Sequence, residues 1–399
     1  MTEKKVGDKP TKAERRAIQE AQRAAKSSKQ PVKKCEDPKP KLEVIKEDKK
    51  APVKPKEKAK ETPKKEVPRI NDIYLFQHLQ NSTKEINIDE IDKDFYEIFK
   101  PLIQCNIDDT EFCIEFIHAT EKFLVAESSK NDDLARNFMT NLMMNLEKIY
   151  VTEMLPITVQ SFLKFIKVKS SQLQLDLESE SFKTKFVEML KDFEEEMIIL
   201  AGEAISERAA DYIKDGECVA IFGYSNLIKK ALIKAKKRNI LFSVVTVDAS
   251  PSFEGRRMLR ELSELEIPTE YCLIQAFASK YAEVTILLLG CSGLLANGNV
   301  LAPMGSSLLA GCVYGQKPVM VCSETFKFWD LAQTEIFEFN EILPHESLVN
   351  SDTPRDSDNL KVLNLKYDII NPANVTAVVT EIATLPTSSV PVILRVKQI

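Results

Sequence analysis

The pattern that most constrains this fold begins at residue 216, where short apolar runs start to alternate with helix-like segments. Runs that are apolar on both faces are typical of parallel strands covered by helices on both sides. They read CVAIFGY (218–224), ILFSVVTVD (240–248), YCLIQAF (271–277), VTILLLG (284–290) and PVMVCSE (318–324). Residues 214–399 are therefore predicted to form a Rossmann-like α/β domain with a parallel sheet. The closing segment VPVILRVK is predicted to be its last strand.

Between residues 71 and 213 the apolar residues instead recur with the period of a helix. Phe112, Phe116, Ala119 and Phe123 form one such stripe, and a second begins at Phe182 and runs to Leu200. Such stripes predict amphipathic helices packed against one another. Residues 71–213 are therefore predicted to form a helical domain that precedes the α/β domain.

The first 70 residues have a different composition from the rest. They carry 23 Lys and Arg against 12 Asp and Glu, a net charge of +11, while residues 71–399 carry −16. They hold 8 of the 19 prolines and no aromatic residue. A segment of this kind buries too little apolar surface to offset its ordering entropy. Residues 1–70 are predicted to be a disordered basic arm, and the acidic folded part is not expected to bind nucleic acid.

Several classes of protein are excluded by what the sequence lacks. The longest apolar stretch, from Ile286 to Ala296, is shorter than the roughly 20 residues that span a bilayer. The first ten residues lack the apolar core of a signal peptide. The 8 cysteines form no CxxC pair and only 3 histidines are present, so we expect no metal site. We expect a soluble, cytoplasmic protein that does not contact membranes.

Residues that follow the strands are the candidates for a binding site, since ligands of such sheets lie beyond the carboxyl ends of the strands. Ser225 and Ser292 occupy such positions, but no histidine lies near either in sequence to act as a base. Neither a G-x-G-x-x-G nor a P-loop sequence is present, so no nucleotide cofactor is expected. Gly305-Ser306-Ser307 opens a helix, either as an ordinary cap or as a weak phosphate site.

Three segments carry a resemblance to a known family. LLGCSGLLANGNVLAPMGSSLLA (288–310), PVMVCSETFKFWD (318–330) and YDIINPANVTAVVTEIATLPTSSVPVILR (367–395) resemble the family that joins the regulatory subunits of translation initiation factor 2B to sugar-phosphate isomerases. The resemblance covers roughly residues 75–399. The last segment and SPSFEGRRMLR (250–260) are most similar to the delta-type subunits of that family.

The chain departs from the isomerases at the positions that carry their chemistry. By resemblance, Ser225 stands where those enzymes have a cysteine, Ser292 where they have an aspartate, and Ser250 where they have a substrate-binding arginine. Ala302-Pro303 replaces their Asn-Lys pair, while Asn297 and Gly298 are retained. The resemblance therefore implies a degenerate pocket without a thiol, carboxylate or cation for proton transfer and phosphate binding.

The resemblance implies a non-catalytic regulatory subunit of a guanine-nucleotide exchange complex. Its expected partners are the alpha, beta, gamma and epsilon subunits of initiation factor 2B, and initiation factor 2 with its phosphorylated alpha subunit. Apolar residues of FKFWDL (326–331) are candidates for subunit contact, and Trp329 fits a core or an interface position equally well. The alternatives are a divergent sugar-phosphate isomerase that uses Ser225 or Cys291, a ligand-sensing subunit, and an alpha- or beta-type sibling.

Overall fold

The computed structural model describes residues 91–103, 107–126, 134–149, 155–174, 179–336, 340–344, 347–348 and 362–397. The predicted arm, residues 1–70, lies outside the described residues. All the described residues belong to one compact unit, residues 66–399. We call the described part up to Ala210 the helical region and the part from Cys218 onwards the sheet region.

The helical region contains the amphipathic helices that the sequence predicted. They are α1 (Lys93–Ile103), α2 (Asp109–Ala126), α3 (Leu134–Ile149), α4 (Ile157–Gln174) and α5 (Ser179–Phe193). Their buried stripes meet in one core rich in phenylalanine, where the ring centroids of Phe95 and Phe99 stack 4.2 Å apart. No helix in the described part of the chain combines the length and the apolar content that a bilayer crossing requires.

One continuous rod connects the two regions. Helix α5 continues as a π-helix (Glu194–Leu200) and then as α6 (Ala201–Ala210). Phe193 is buried in the core of the helical region, whereas Ile205 is buried against the sheet. The wider π turn rotates the residues that follow it relative to those before it. The rod therefore presents its first buried stripe to one core and its second to another.

The central sheet has the strand order of a doubly wound fold. Its strands are β1 (Cys218–Phe222), β2 (Ser243–Asp248), β3 (Thr269–Leu273), β4 (Ile286–Gly290), β7 (Val319–Cys322), β10 (Ala377–Val379) and β11 (Thr384–Leu385). In space they lie in the order β11-β10-β7-β4-β1-β2-β3, and all neighbours are parallel except β10 and β11. This arrangement confirms the predicted parallel sheet, with a switch point between β1 and β4.

Helices cover both faces of this sheet. With α6, one face is covered by α7 (Asn226–Lys237) and α8 (Gly255–Glu264). The other face is covered by α9 (Phe277–Lys280), α10 (Ser306–Val313) and α11 (Val390–Lys397). The prediction of a strand at VPVILRVK was wrong, since this segment is α11. Val390, Ile393 and Leu394 pack on the core at helical spacing while Val392 and Val396 are exposed, and Pro391 is tolerated in the first turn.

A second, smaller sheet was not predicted. It consists of β8 (Phe328–Trp329), β5 (Gly293–Leu295), β6 (Val300–Pro303) and β9 (Tyr367–Ile370), in that spatial order. Strands β5 and β6 form an antiparallel hairpin, and β9 pairs with β6 in antiparallel register. Its residues contact the helical region, since Leu295, Leu301 and Tyr367 share a buried cluster with Ile157 of α4.

We call that contact the seam: it is formed where α2, α4 and α5 pack on the second sheet and on residues 324–330. Phe326 enters the core of the helical region, with its ring centroid 6.0 Å from that of Phe193. Phe328 enters the core of the central sheet, and Trp329 packs in a small cluster with Ile157. Most of the apolar side chains that were candidates for subunit contact are therefore used inside this chain.

Polar pairs close the edges of the seam. The ammonium of Lys164 on α4 lies 3.9 Å from the ring centroid of Trp329 and 3.0 Å from a carboxylate oxygen of Asp330. On α8, the guanidinium of Arg257 donates to both carboxylate oxygens of Glu111 on α2, at 2.9 and 3.2 Å. The helical region is thus held to the sheet region by apolar insertion at the centre and by ion pairs at the rim.

Candidate functional site

The switch point between β1 and β4 contains a cavity, but a very small one. Its volume is about 30 Å³, which is room for about one water molecule. The sheet region contributes Ser225, Cys291, Ser292 and Lys327 to its lining, and the start of α2 contributes Asp108 and Thr110. The crevice that holds ligands in other doubly wound folds is therefore nearly closed here, and the helical region helps to close it.

Ser225 and Ser292 are the two predicted pocket residues that the structure brings together at this cavity. Ser225 is the N-cap of α7, where its Oγ lies 3.5 Å from the backbone N of Ile228 and accepts a long hydrogen bond. Ser292 is buried, and its backbone N donates to the carbonyl of Leu301 at 2.8 Å. Capping accounts for Ser225, and neither side chain contacts a histidine among the described residues.

The other predicted pocket positions lie elsewhere. Ser250 is exposed after β2 and does not line the cavity. Asn297 and Gly298 form the turn of the β5–β6 hairpin, where Gly298 has φ 83° and the side-chain amide of Asn297 donates to the carbonyl of Gln333 at 2.7 Å. A Cβ atom on Gly298 would lie 3.0 Å from the carbonyl oxygen of Thr387. The turn thus requires these two residues for its own geometry.

A buried ion pair that the sequence analysis missed dominates the electrostatics of the cavity. The Lys327 ammonium lies 3.0 Å from a carboxylate oxygen of Glu324 and donates to the carbonyl of Cys291 at 3.3 Å. Lys327 is 5% exposed and Glu324 is 3% exposed. Burial lowers the pKa of Lys327, but the negative groups around it, of which Glu324 has the largest effect, together outweigh burial and hold the pKa above its ordinary value. The cation is therefore retained and is already neutralised from within the chain.

Two further titratable groups face the same cavity. Burial raises the pKa of Asp108 to about 6, against the opposing effect of the Lys327 charge. Burial also raises the pKa of the Cys291 thiol to about 11, so that it stays protonated at neutral pH. A protonated, buried thiol is a poor nucleophile. The divergent isomerase that would use Cys291 is thus disfavoured by the chemistry of that residue.

The start of α10 is occupied by an internal anion. Oδ2 of Asp368, on β9, accepts from the backbone N of Gly305 at 3.1 Å and from that of Ser307 at 3.0 Å. A carboxylate at this position satisfies the free amides that would otherwise hold a phosphate. The ring of Phe222 also approaches closely, since a Cβ atom on Gly305 would lie 2.9 Å from its Cζ. The helix start is therefore capped, as the first of the two sequence interpretations had it.

The end of β2 is satisfied in the same internal way. In dinucleotide-binding folds an acidic residue here binds a ribose hydroxyl. In this chain Oδ2 of Asp248 accepts from the hydroxyl of Tyr271 at 2.9 Å, and Oδ1 accepts from the backbone N of Ala249 at 2.9 Å. A Cβ atom on Gly255 would lie 2.8 Å from the same carboxylate. Asp248 is therefore used to join β2, β3 and the start of α8.

The residues that sequence reasoning missed gave only faint signals. Lys327 is a charge placed between two phenylalanines, which is unusual in an exposed segment. Asp108 precedes an amphipathic helix and Asp109 begins it, which by itself indicates only a helix start. Within the described part of the chain, no group of three or more His, Cys, Asp or Glu could hold a metal ion. The side chains around the cavity therefore connect the start of α2 with the sheet region, and among the described residues they do not form a metal site.

Comparison with known proteins identifies the family. The model of the initiation factor 2 subunit family matches residues 109–387. The chain belongs to this family. The matched range runs from the start of α2 to the turn before α11 and includes every residue named above at the cavity except Asp108.

Two curated proteins are relatives of this chain. It is 32% identical over 275 residues to a protein of Schizosaccharomyces pombe named translation initiation factor eIF2B subunit delta, covering 66% of this chain and 59% of that one. It is 25% identical over 375 residues to the protein of the same name in Dictyostelium discoideum, covering 86% and 60%. The chain thus spans about 60% of the length of these relatives.

Solved structures share the family fold at lower identity. The tetrameric eIF2B-beta2-delta2 complex from C. thermophilum contains a chain with a TM-score of 0.65 and 22% identity, covering 73% of this chain and 92% of that one. A 5-methylthioribose 1-phosphate isomerase from Pyrococcus horikoshii has a TM-score of 0.61 and 12% identity, covering 76% and 88%. At these identities the likeness establishes the fold alone, and it confirms the predicted α/β class.

Proposed function

We propose that this chain is a delta-type regulatory subunit of translation initiation factor 2B and acts in the cytoplasm. The observation that carries the proposal is the match to two curated subunits of that name. The geometry of the cavity supports a role without catalysis, because a space of about 30 Å³ cannot admit a sugar phosphate and its one cation is already paired. In this role the chain supports exchange of GDP for GTP on initiation factor 2.

The proposed mechanism is allosteric. The phosphorylated alpha subunit of initiation factor 2 inhibits exchange if it binds one arrangement of the complex better than another, since binding shifts the population towards the favoured arrangement. The partners would be the alpha, beta, gamma and epsilon subunits, with gamma and epsilon carrying out the exchange. A relative crystallised with a beta subunit supports the beta pairing.

The first test is the set of proteins that the full chain binds. We expect a tagged chain, purified from cells at low salt and analysed by mass spectrometry, to recover four other subunits and initiation factor 2. Recovery of a homo-oligomer alone would contradict the proposal. The exchange complex purified without this chain should release GDP from initiation factor 2 at a rate that no longer responds to phosphorylation of its alpha subunit.

The isomerase alternative has its own test. The likeness to a 5-methylthioribose 1-phosphate isomerase motivates it at the level of the fold. We expect no turnover of methylthioribose 1-phosphate or ribose 1,5-bisphosphate by the purified chain. Turnover that is abolished by Ser225→Ala or Cys291→Ala, in variants that keep the wild-type melting temperature, would overturn the non-catalytic role. A rise in melting temperature with either compound would favour the ligand-sensing alternative.

A further inference from the structure

The turn at the start of α2 covers the small cavity from the side of the helical region. Asp108 and Thr110 belong to this turn and line the cavity, while Cys291 and Lys327 line it from the sheet region. The carboxylate of Asp108 accepts from the backbone N of Thr110 at 3.2 Å and so caps the helix. We call residues 108–111 the α2 turn, and its shape is fixed by this internal bond.

The α2 turn reaches the sheet region through polar side chains. Phe112 and Phe116, which follow it on α2, are buried in the core of the helical region. Ile157 on α4, by contrast, packs directly on the sheet region in a cluster with Leu295. Polar contacts near solvent open most readily in native proteins, since their separation exposes little apolar surface. The α2 turn can therefore lift from the sheet region without opening either core.

A cluster of charged side chains at the rim holds the α2 turn to the sheet region. The guanidinium of Arg257 donates to both carboxylate oxygens of Glu111, at 2.9 and 3.2 Å. The same guanidinium lies 3.9 Å from the ring centroid of Tyr224, and its Nε donates to Glu261 at 3.2 Å. The ammonium of Lys229 lies 2.8 Å from a carboxylate oxygen of Glu261 and 3.1 Å from the Tyr224 hydroxyl. We call these five residues the rim cluster.

The rim cluster also contacts the wall of the cavity. Tyr224 is 6% exposed and lines the cavity together with Ser225. Glu111 follows Thr110, which lines the cavity from the helical region. Arg257 therefore touches both the turn that covers the cavity and the loop after β1 that forms its wall. The side chains of Glu111 and Arg257 are 28% and 45% exposed, so salt in the solvent reaches their ion pair.

The other polar contacts of the α2 turn are weaker or lie within the helical region. The hydroxyl of Tyr367 on β9 is 3.5 Å from the carboxylate of Asp109, which is long for a hydrogen bond between oxygen atoms. The backbone carbonyl of Asp109 accepts from the hydroxyl of Thr158 at 3.0 Å, but Thr158 is on α4. The two bonds to Arg257 are therefore the stronger tie between the α2 turn and the sheet region.

We propose that the α2 turn is a lid on the cavity and that the rim cluster holds this lid closed. When Glu111 separates from Arg257, the turn lifts from the sheet region and solvent reaches Cys291. The contacts of Phe326 and Trp329 keep the rest of the seam in place while the lid is open. The lid does not rest on the proposed function, because it follows from the contacts around the cavity alone.

The rate at which Cys291 reacts with an alkylating reagent in the full chain tests the lid. Cys291 is buried at the cavity, so its thiol reacts when the cavity opens, and peptide mass spectrometry assigns a rate to each cysteine. Cys322 is the internal control, because it is buried on the other face of the central sheet. We expect Glu111→Gln to raise the Cys291 rate about 5-fold, as for loss of a partly exposed ion pair, and to leave the Cys322 rate unchanged.

Two further measurements show whether the ion pair itself is responsible. Arg257→Met should raise the Cys291 rate at least as much as Glu111→Gln does. The double variant should react at the rate of Arg257→Met alone, since the pair is already broken in that variant. Raising NaCl from about 0.05 M to about 0.5 M should increase the Cys291 rate in the wild-type chain but not in the double variant.

Glu115→Gln is the matched control, because it makes the same change at an exposed position one turn further along α2, outside the cavity lining. The lid is overturned if Glu115→Gln raises the Cys291 rate as much as Glu111→Gln does, or if neither Glu111→Gln nor Arg257→Met raises it. An equal rise at Cys322 would also overturn it, because general unfolding would then explain the reaction.

The fluorescence of Trp329, the single tryptophan of the sequence, separates a lid from a wider opening. It should stay at its wild-type value in Glu111→Gln. A change that accompanies faster reaction of Cys291 would contradict the proposal, since the whole seam would then be opening. If circular dichroism shows that Arg257→Met is unfolded, Glu111→Gln and the salt dependence of the wild-type chain decide.

Discussion

Lys327 is a buried charge whose desolvation is unfavourable, and removal of its partner or of Lys327 itself is expected to destabilise the fold further. Its ammonium and the Glu324 carboxylate, 3.0 Å apart, are both almost fully removed from solvent. The desolvation of both charges offsets much of their mutual attraction, so the pair as a whole contributes little to the free energy of unfolding. Removal of one partner is different, because the other charge then remains buried without compensation.

We therefore expect Lys327→Met to lower the free energy of unfolding by about 3–5 kcal/mol, measured by urea denaturation near neutral pH. The double variant Lys327→Met with Glu324→Met should recover most of that loss, since both charges are gone. Lys164→Met is the control, because Lys164 pairs with Asp330 at the exposed rim and its loss should be much smaller. Equal losses in Lys327→Met and Lys164→Met would contradict this account.

Asp368 is the second residue whose effect the structure defines. Asp368→Ala removes the acceptor for the backbone N of Gly305 and Ser307 at the start of α10. We expect a loss of about 1–2 kcal/mol, typical of a lost helix cap, in thermal or urea unfolding. Asp192→Ala, at an exposed position within α5, should be close to neutral. A neutral Asp368→Ala would show that another group satisfies those amides.

At this scale the sequence located part of the site and missed the rest for a physical reason. Ser225 and Ser292 were placed at the cavity because the carboxyl ends of parallel strands meet at one edge. Lys327 and Asp108 come from the second sheet and from the helical region, and their meeting depends on how the whole chain packs. Ser250 follows a strand too, but the chain turns away from the cavity after β2.

At the scale of elements, α4 and β5 pack so closely at Gly293 that a side chain there would have no room. Among the described glycines, Gly293 is the one where an added Cβ atom would meet its nearest neighbour at the shortest distance. A Cβ atom on Gly293 would lie 2.4 Å from Cδ1 of Ile157, which is itself buried. We expect Gly293→Ala to lower the free energy of unfolding by about 1–3 kcal/mol through overpacking. Adding Ile157→Val, which removes the clashing methyl group, should restore part of it.

Gly311→Ala is the matched control for that substitution. Gly311 lies within α10, and a Cβ atom there would meet only the side-chain nitrogen of Asn374, at 3.9 Å. Alanine favours a helix over glycine, so this variant should be neutral or slightly stabilising. Calorimetry of the wild-type chain, Gly293→Ala, Gly293→Ala with Ile157→Val, and Gly311→Ala would test both predictions. A Gly293→Ala variant as stable as Gly311→Ala would show that α4 moves freely over β5.

Elements with many residues were predictable and short ones were not. The helices of 15–18 residues in the helical region display several turns of the apolar stripe, and the parallel strands form unbroken apolar runs. Strands of 2–4 residues, such as β8, β5 and β6, contain too few residues to show a period. Helix α11 was mistaken for a strand because eight mostly apolar residues fit either structure until their neighbours are known.

For the molecule as a whole, the seam implies that the helical and sheet regions unfold together. Phe326 belongs to the core of one region while Phe328 belongs to the core of the other, so neither core can open without exposing apolar surface at the other. We expect Trp329 fluorescence, far-ultraviolet dichroism and calorimetry to give one coincident transition. Two separate transitions, with helix lost before the Trp329 signal, would contradict the shared core.

The sequence predicted the amphipathic helices and the parallel sheet but not the way they are joined. The change from helical to strand periodicity near residue 216 marks where one pattern ends. Nothing in either pattern reveals that the π-helix turns one rod from the first core to the second, or that residues 324–330 return to the helical region. Such contacts join residues far apart in the chain, and a local pattern carries no information about them.

The segment Glu324–Asp330 places consecutive side chains in different surroundings, which limits changes to its length. Successive side chains enter the helical core, the charged cavity, the sheet core and the Trp329 cluster, in that order. A single inserted or deleted residue would place each later side chain of the segment in the surroundings that its neighbour now occupies. A charged side chain would then enter an apolar core, and an apolar one the charged cavity. We therefore expect related chains to exchange residues here far more freely than they change the number of residues.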